Sequence, residues 1–296
     1  MKSLFSLKTE HKYGYIFILP VAAVLGILII YPLLYGFYIS FFQTNLINRW
    51  NFVELENYIN IFSGNSEFVN SIFVSIKFTS VVVLSHLVLG LLLAVILNKK
   101  NLPFKELFRS ILMIPWFFPE VVVALLWRWI FNSMYGVFNY LLMNLNIIED
   151  KITWLSSMRG AFFVVVFTAV WKGYPLILVM ILAGLQSIPE ELYEVAKIDG
   201  ANSFQTFFYI TLPNLRSVLL VSLILDTVWW FKNFPIVWLM TRGGPVNATN
   251  VVSIDIYQTA FQSFNFGKAS ASAVIVFFIC LGIAMIYKSM ITEEEM

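Results

Sequence analysis

The chain has 296 residues, of which 59% are hydrophobic and 12% charged, with a formal net charge of +2. A mean hydropathy of +0.81 excludes a water-soluble globular fold, because no soluble core could take up that much apolar surface. The nearly balanced charge gives no basis for nucleic-acid binding, and a single cysteine, Cys280, leaves no intrachain disulfide to form.

Apolar runs long enough to cross roughly 30 Å of hydrocarbon as helices lie near 15–42, 68–97, 107–131, 160–185, 214–240 and 269–290. They are far longer than barrel strands, and peptide groups cannot go unpaired in lipid. The expected fold is therefore all-α, a polytopic membrane helical bundle of about six transmembrane helices. The first run exceeds the apolar core of a secretory signal and lacks a convincing cleavage site, so it is expected to be retained, with kinks at Pro20 and Pro32. Lys2, Lys8 and Lys12 precede it, and Lys99, Lys100, Lys105 and Arg109 lie between the second and third runs. These cations place both segments, and with them both termini, on the cytoplasmic side. The loops near 43–67, 132–159 and 241–268 then face outward. With no insertion the size of a soluble domain, residues 1–296 read as a single transmembrane domain.

His86, in the second run, is expected to make an interhelical hydrogen bond. Pro115 and Pro119 interrupt the third run, where Glu120 is placed to cap broken backbone and Arg128, between Trp127 and Trp129, to snorkel to an interface. After the fourth run comes a polar, acidic island, QSIPEELYEVAKIDGANSFQTFFYITLP, from Gln186 to Pro213. Ser187 and Glu190 have capping-box spacing, Pro189 suits a first turn, Gly200 can stop the helix, and Asn202 with Gln205 repeats the start signal. Leu192, Val195 and Ala196 fall on one face of that helix and Glu190, Glu191 and Glu194 on another. With Asp199 added and Lys197 the sole cation between 190 and 199, an anionic leaflet would repel the segment, so a basic groove on a cytoplasmic protein is the better partner.

The fifth run concentrates Asp226, Trp229, Trp230, Lys232 and Asn233. Aromatic faces beside amide and charged groups suit a sugar, whose ring is apolar on its faces and rimmed by hydroxyls. Helical spacing puts Trp229 and Trp230 about 100° apart and aligns Lys232 or Asn233 with Trp229, which favours Trp229 as the stacking ring. Alternatively, Asp226 pairs with Lys172 or Lys232 and the tryptophans pack against helices. Buried Asp226, Lys172 and His86 could also serve as relay groups in an ion-coupled secondary transporter. There is no G-x-x-x-x-G-K-[ST] loop for ATP and no HExxH motif for a metal-based enzyme.

The island's Glu194-Val195-Ala196, Asp199-Gly200-Ala201 and Ile210-Thr211-Leu212-Pro213 closely resemble the EAA loop of ABC importer permeases. Asn57-Tyr58, Val123 to Trp129, Ala183 to Pro189 and Leu239 to Pro245 extend the likeness to the carbohydrate branch, and Ile18-Leu19-Pro20 with Tyr31-Pro32-Leu33 to that of the larger maltose permease subunit. The resemblance implies a type I ABC importer permease fold in a bacterial or archaeal cytoplasmic membrane, among membrane lipids. It also implies a second, related permease as heterodimer partner, an extracytoplasmic sugar-binding protein, and a cytoplasmic ATPase dimer that binds the ATP, with no cofactor in this chain. Loop 186–213 would then be the coupling loop, with Glu191, Glu194, Ala196, Asp199, Gly200, Ala201 and Pro213 in contact with the ATPase. Substrate contacts would lie on the fifth span, with Trp171 and Tyr174 of the fourth as secondary candidates.

Overall fold

A computed structural model describes residues 14, 15, 17–63, 67–99 and 101–292. Lys2, Lys8, Lys12, Lys100 and residues 293–296, which bear on the orientation argument, lie outside them. The chain divides into two compact units, one drawn from Met1–Gly64 with Ile256–Val276 and the other from Asn65–Asp255 with Phe277–Met296.

In the first unit, helix α1 (Phe17–Ile39) widens into a π turn at Gly26–Ile30, where Tyr31 N–H reaches back to Gly26 O. The wide turn delivers Pro32, which has no N–H, into the next segment without a sharp break. The following loop holds a small antiparallel hairpin, β1 (Phe42–Thr44) and β2 (Trp50–Phe52), in register Phe42↔Phe52, and a short helix, α2 (Glu56–Phe62). Buried Asn57 ties them together, its amide donating to Ser40 O at 2.9 Å and Phe42 O at 3.0 Å.

The second unit is organised by α3 (Glu67–Leu97) and a later helix, α7 (Met158–Ser187). On α3 the buried positions Ser71, Ser75, Thr79, Val82, His86, Gly90, Ala94 and Leu97 recur every three or four residues, while Phe73, Ile76, Leu84, Val88 and Leu92 are exposed on the rest of its surface. This is the pattern lipid demands, since apolar area gives no drive between helices there and close approach of small or hydrogen-bonding residues does. At Gly90 the backbones are so near that a Cβ would stand 2.9 Å from Ile177 Cγ2 and 3.1 Å from Leu178 N.

The third apolar run does not form one straight span. It divides into α4 (Lys105–Phe117) and α5 (Glu120–Ile130), which meet at 95° because Phe118 turns extended before Pro119. Among the described residues five helices are long and apolar enough to cross a membrane, or six if this bent pair is one span. After α6 (Val137–Asn144) and α7 come α8 (Glu190–Ile198), α9 (Ser203–Thr206) and, through a π turn at Phe207–Thr211, α10 (Leu212–Phe231). The fifth run was expected to continue as one helix past Asn233. It stops at Phe231 instead, because Pro235 has no N–H for the Phe231 carbonyl, and resumes as α11 (Pro235–Thr241). Helices α12 (Val252–Tyr257) and α13 (Phe266–Thr292) complete the described residues.

The α3–α7 contact generates a prediction. Gly90→Leu should destabilise the purified protein by roughly 1–3 kcal/mol through overpacking. Gly282→Leu, where no atom lies within 4 Å of an added Cβ, should leave thermal unfolding in detergent near the parent value.

Candidate functional site

Two regions have the chemistry of sites: a cleft where α4 and α5 bend apart, and the surface formed by α8 and the turn after it. The cleft, of about 180 Å³, is lined by Trp116, Glu120, Lys172, Asp226, Trp229 and Trp230 together with Gly173 and Leu176. Lys172 stands midway along the 30-residue α7, which puts the cleft at the middle of the bundle. Each ionisable group lining it is held by one partner. Lys172 Nζ donates to Trp116 O at 2.7 Å, taking up the carbonyl whose helical donor is lost when Phe118 turns extended at ψ 138°. Tyr174 likewise donates from α7 to Leu112 O at 2.9 Å. Glu120 accepts from Asn233 Nδ2 at 3.3 Å, and Asn233 O accepts from Ser253 at 2.8 Å, which ties the break after α10 to α5 and α12.

Asp226 pairs with His86, not with Lys172 or Lys232. The Nδ1···Oδ2 distance is 2.8 Å, and His86 Nε2 lies 3.2 Å from Ala169 O. A peptide carbonyl only accepts, so Nε2 carries a proton, and the short contact to the carboxylate requires a second proton between Nδ1 and Oδ2. The pair is thus neutral as a whole wherever that proton sits. The ring is edge-on to Trp230, 5.4 Å between centroids, and Gly173 leaves the space that both rings occupy.

These contacts sort the residues expected from the sequence. Trp229, 59% exposed, and Trp230, 3% exposed, both line the cleft, the first with an open ring and the second packed on Phe78 and His86. Lys232 is exposed outside it, and Asn233 is buried behind Glu120. Neither shares a helical face with Trp229, since both fall in the interruption before Pro235. Trp171 packs edge-on to Trp127, and Tyr174 is engaged with Leu112, so neither borders the cleft. Trp116, Glu120 and Lys172 do border it. Sequence reasoning gave Glu120 a capping role and Lys172 a pairing or relay role and passed over Trp116, because only the bend at Pro119 brings α4 and α5 to α10. Arg128 donates to Leu239 O at 2.9 Å and joins α5 to α11.

At the loop after α7, the Ser187–Glu190 capping box does not form. The apolar helix runs on through Ser187, whose hydroxyl donates to Gly184 O, and Pro189 becomes the N-cap of α8. The stop is as expected. Gly200 has φ +77°, Ala201 N–H returns to Ala196 O at 2.9 Å and Gly200 N–H to Lys197 O at 3.2 Å, the two-bond left-handed ending that glycine permits. Asn202 and Gln205 then form a reciprocal capping box. Ala196 and Tyr193 turn toward the bundle, with Tyr193 meeting Thr211 at 3.2 Å. Leu192, Val195 and Ile198 face outward instead of sharing the buried side with Ala196. Glu191, Glu194, Asp199 and Pro213 are exposed beside them and Ala201 is half-buried.

The buried pair can be tested directly. His86→Leu and Asp226→Leu should each cost roughly 1–3 kcal/mol by stranding the other partner. The double variant should cost less than the sum, a coupling that unfolding titrations of the four proteins in detergent will read.

The family described as a binding-protein-dependent transport system inner membrane component matches residues 86–290. The trehalose/maltose transport system permease protein MalF of Thermococcus litoralis is 39% identical over 282 residues, which cover 94% of this chain and 93% of that protein. The sulfoquinovosyl glycerol transport system permease protein SmoG of Agrobacterium fabrum is 34% identical over 280 residues, 93% and 89% of the two chains. Among solved structures, a bacterial ABC transporter involved in the import of the acidic polysaccharide alginate is similar over 98% of both chains with a TM-score of 0.85, at 21% identity. The chain belongs to the binding-protein-dependent transport system inner membrane component family, as a multi-pass permease subunit and not an enzyme.

Proposed function

We propose that this chain, as one transmembrane permease domain over residues 1–296, carries a carbohydrate inward through the cleft beside α10. A separate ATPase dimer, docked on the coupling loop 186–213, binds the ATP and drives transport. The observation that carries this reading is the pairing of two surfaces: a mid-depth cleft with tryptophan rings and anchored charges, and an outward α8 that is acidic and apolar at once. Glu191, Glu194 and Asp199 offer charge to a basic groove, Leu192, Val195 and Ile198 offer apolar contact, and Gly200 sets the turn that presents them. Pro213, in the first turn of α10, leads the chain back into the bundle.

The cleft is smaller than the roughly 300–1,000 Å³ of complete small-molecule sites, and Trp116 and Trp229 leave it open on one side. A second, non-identical permease supplies the other wall in this reading, and an extracytoplasmic binding protein delivers the substrate. Both termini are cytoplasmic. Trp229 stacks on a sugar ring, while Glu120, Asp226 and Lys172 use their remaining hydrogen-bonding capacity on hydroxyls. Trp230 and Asn233 support those groups from behind, as Trp171, Tyr174 and Lys232 do from farther away. The relatives named above are permeases, which leaves the ion-coupled carrier without support, and His86 and Asp226 already satisfy each other.

Two experiments on the reconstituted transporter test this. Glu194→Lys and Gly200→Val should abolish or sharply reduce substrate-stimulated ATP hydrolysis, and normal stimulation in both would remove α8 from the coupling role. Trp229→Ala should weaken uptake by roughly 1 kcal/mol or more, about fivefold at limiting sugar. Parent-like uptake kinetics in both Trp229→Ala and Glu120→Gln would move the sugar site elsewhere.

A further inference from the structure

At the end of the bundle opposite α8, the first turns of α7 and the outer part of α3 frame a second pocket of about 390 Å³. Its polar lining is Lys77, Arg159, Asn70 and Asn247, and its apolar lining includes Val74 and Phe162. Lys77 Nζ lies 4.5 Å from the centre of the Phe162 ring. Among the described residues no carboxylate pairs with Lys77 or Arg159, so two cations share one pocket with no counter-charge.

The position of Lys77 narrows the ligand. It lies ten residues into α3, about 15 Å along the axis, so its backbone sits at hydrocarbon depth while its side chain reaches back to the level where α7 begins. Phe73, Val81, Leu84 and Val88 share its helical face, and all are exposed and apolar. The structure therefore presents two cations and two amides at the head of an apolar stripe. A soluble anion would use only the head of that arrangement, whereas an amphiphile would use both parts.

We propose that this pocket holds the phosphodiester of an anionic phospholipid of the phosphatidylglycerol class. The Arg159 guanidinium is suited to two phosphate oxygens, Lys77 supplies the second charge, and an acyl chain lies along Val81, Leu84 and Val88. This site is independent of the sugar reading, because it shares no residue with the cleft or with α8.

The test is photolabelling of the assembled transporter with phosphatidylglycerol carrying a diazirine on an acyl chain, followed by peptide mapping. Label should appear on the α3 segment that includes Val81 to Val88, and unlabelled phosphatidylglycerol should displace it while phosphatidylcholine does not. Lys77→Gln and Arg159→Gln should each lower labelling roughly fivefold, the factor expected for one cation near an anionic lipid. Lys77→Arg should retain it. Displacement by inorganic phosphate would make this a free-anion site and overturn the lipid assignment, as would equal displacement by phosphatidylcholine. Absence of label on α3 of the parent, with Lys77 cross-linking to a carboxylate of another subunit, would replace the lipid with a protein contact. The parent experiment alone decides between these outcomes if a variant fails to assemble.

Discussion

The second unit depends on one constraint: a backbone carbonyl that loses its helical donor inside hydrocarbon must find another. Pro119 and Pro235 create two such breaks, one between α4 and α5 and one between α10 and α11. The Lys172 ammonium answers the first, at Trp116 O, with Tyr174 supporting the same helix at Leu112 O. At the second, Asn233 and Ser253 tie the interrupted chain to α5 and α12. The same side chains that repair the backbone border the cleft or brace its wall. A charge is tolerated at mid-depth because the break needs it, and the break then leaves room beside that charge.

The α3–α7 contact makes this arrangement rigid. Small residues on α3 bring the helices together, and His86 joins α3 to α10 through Asp226 and to α7 through Ala169 O. Gly173 is the counterpart of that ring, since a Cβ there would overlap His86 and Trp230. Asp226 thus has one oxygen fixed, and its direction is set by three helices at once. In a low-dielectric interior, a neutral, hydrogen-bonded pair of this kind specifies helix register more than it adds stability.

The α8 surface obeys the opposite logic. The left-handed stop at Gly200 and the Asn202–Gln205 box close the ends of α8 and α9 with local hydrogen bonds, so the loop holds its shape with little buried area. Ala196 and Tyr193 anchor α8 inward, leaving Leu192, Val195 and Ile198 uncovered next to three carboxylates. A surface both apolar and acidic is poorly matched to water and to an anionic leaflet, and it is well matched to a protein groove.

Composition and run length were sufficient for the class of fold, because lipid allows few ways to pair a backbone. The glycine stop and the capping box were legible for a related reason: they are contacts within five residues, set by φ preferences and local donors. Tertiary structure decided what depends on distant partners. Asp226 could have met Lys172, Lys232 or His86, and only the packing of α3 against α7 and α10 selects His86. Trp229 and Trp230 differ by one position in sequence, yet one ring is open and the other buried, since His86 and Phe78 occupy one side of α10 alone. The 95° bend at Pro119 converts two prolines, readable as a kink, into a cleft with Trp116, Glu120 and Lys172 on its walls. Its direction follows from where α7 offers donors, which no local pattern encodes.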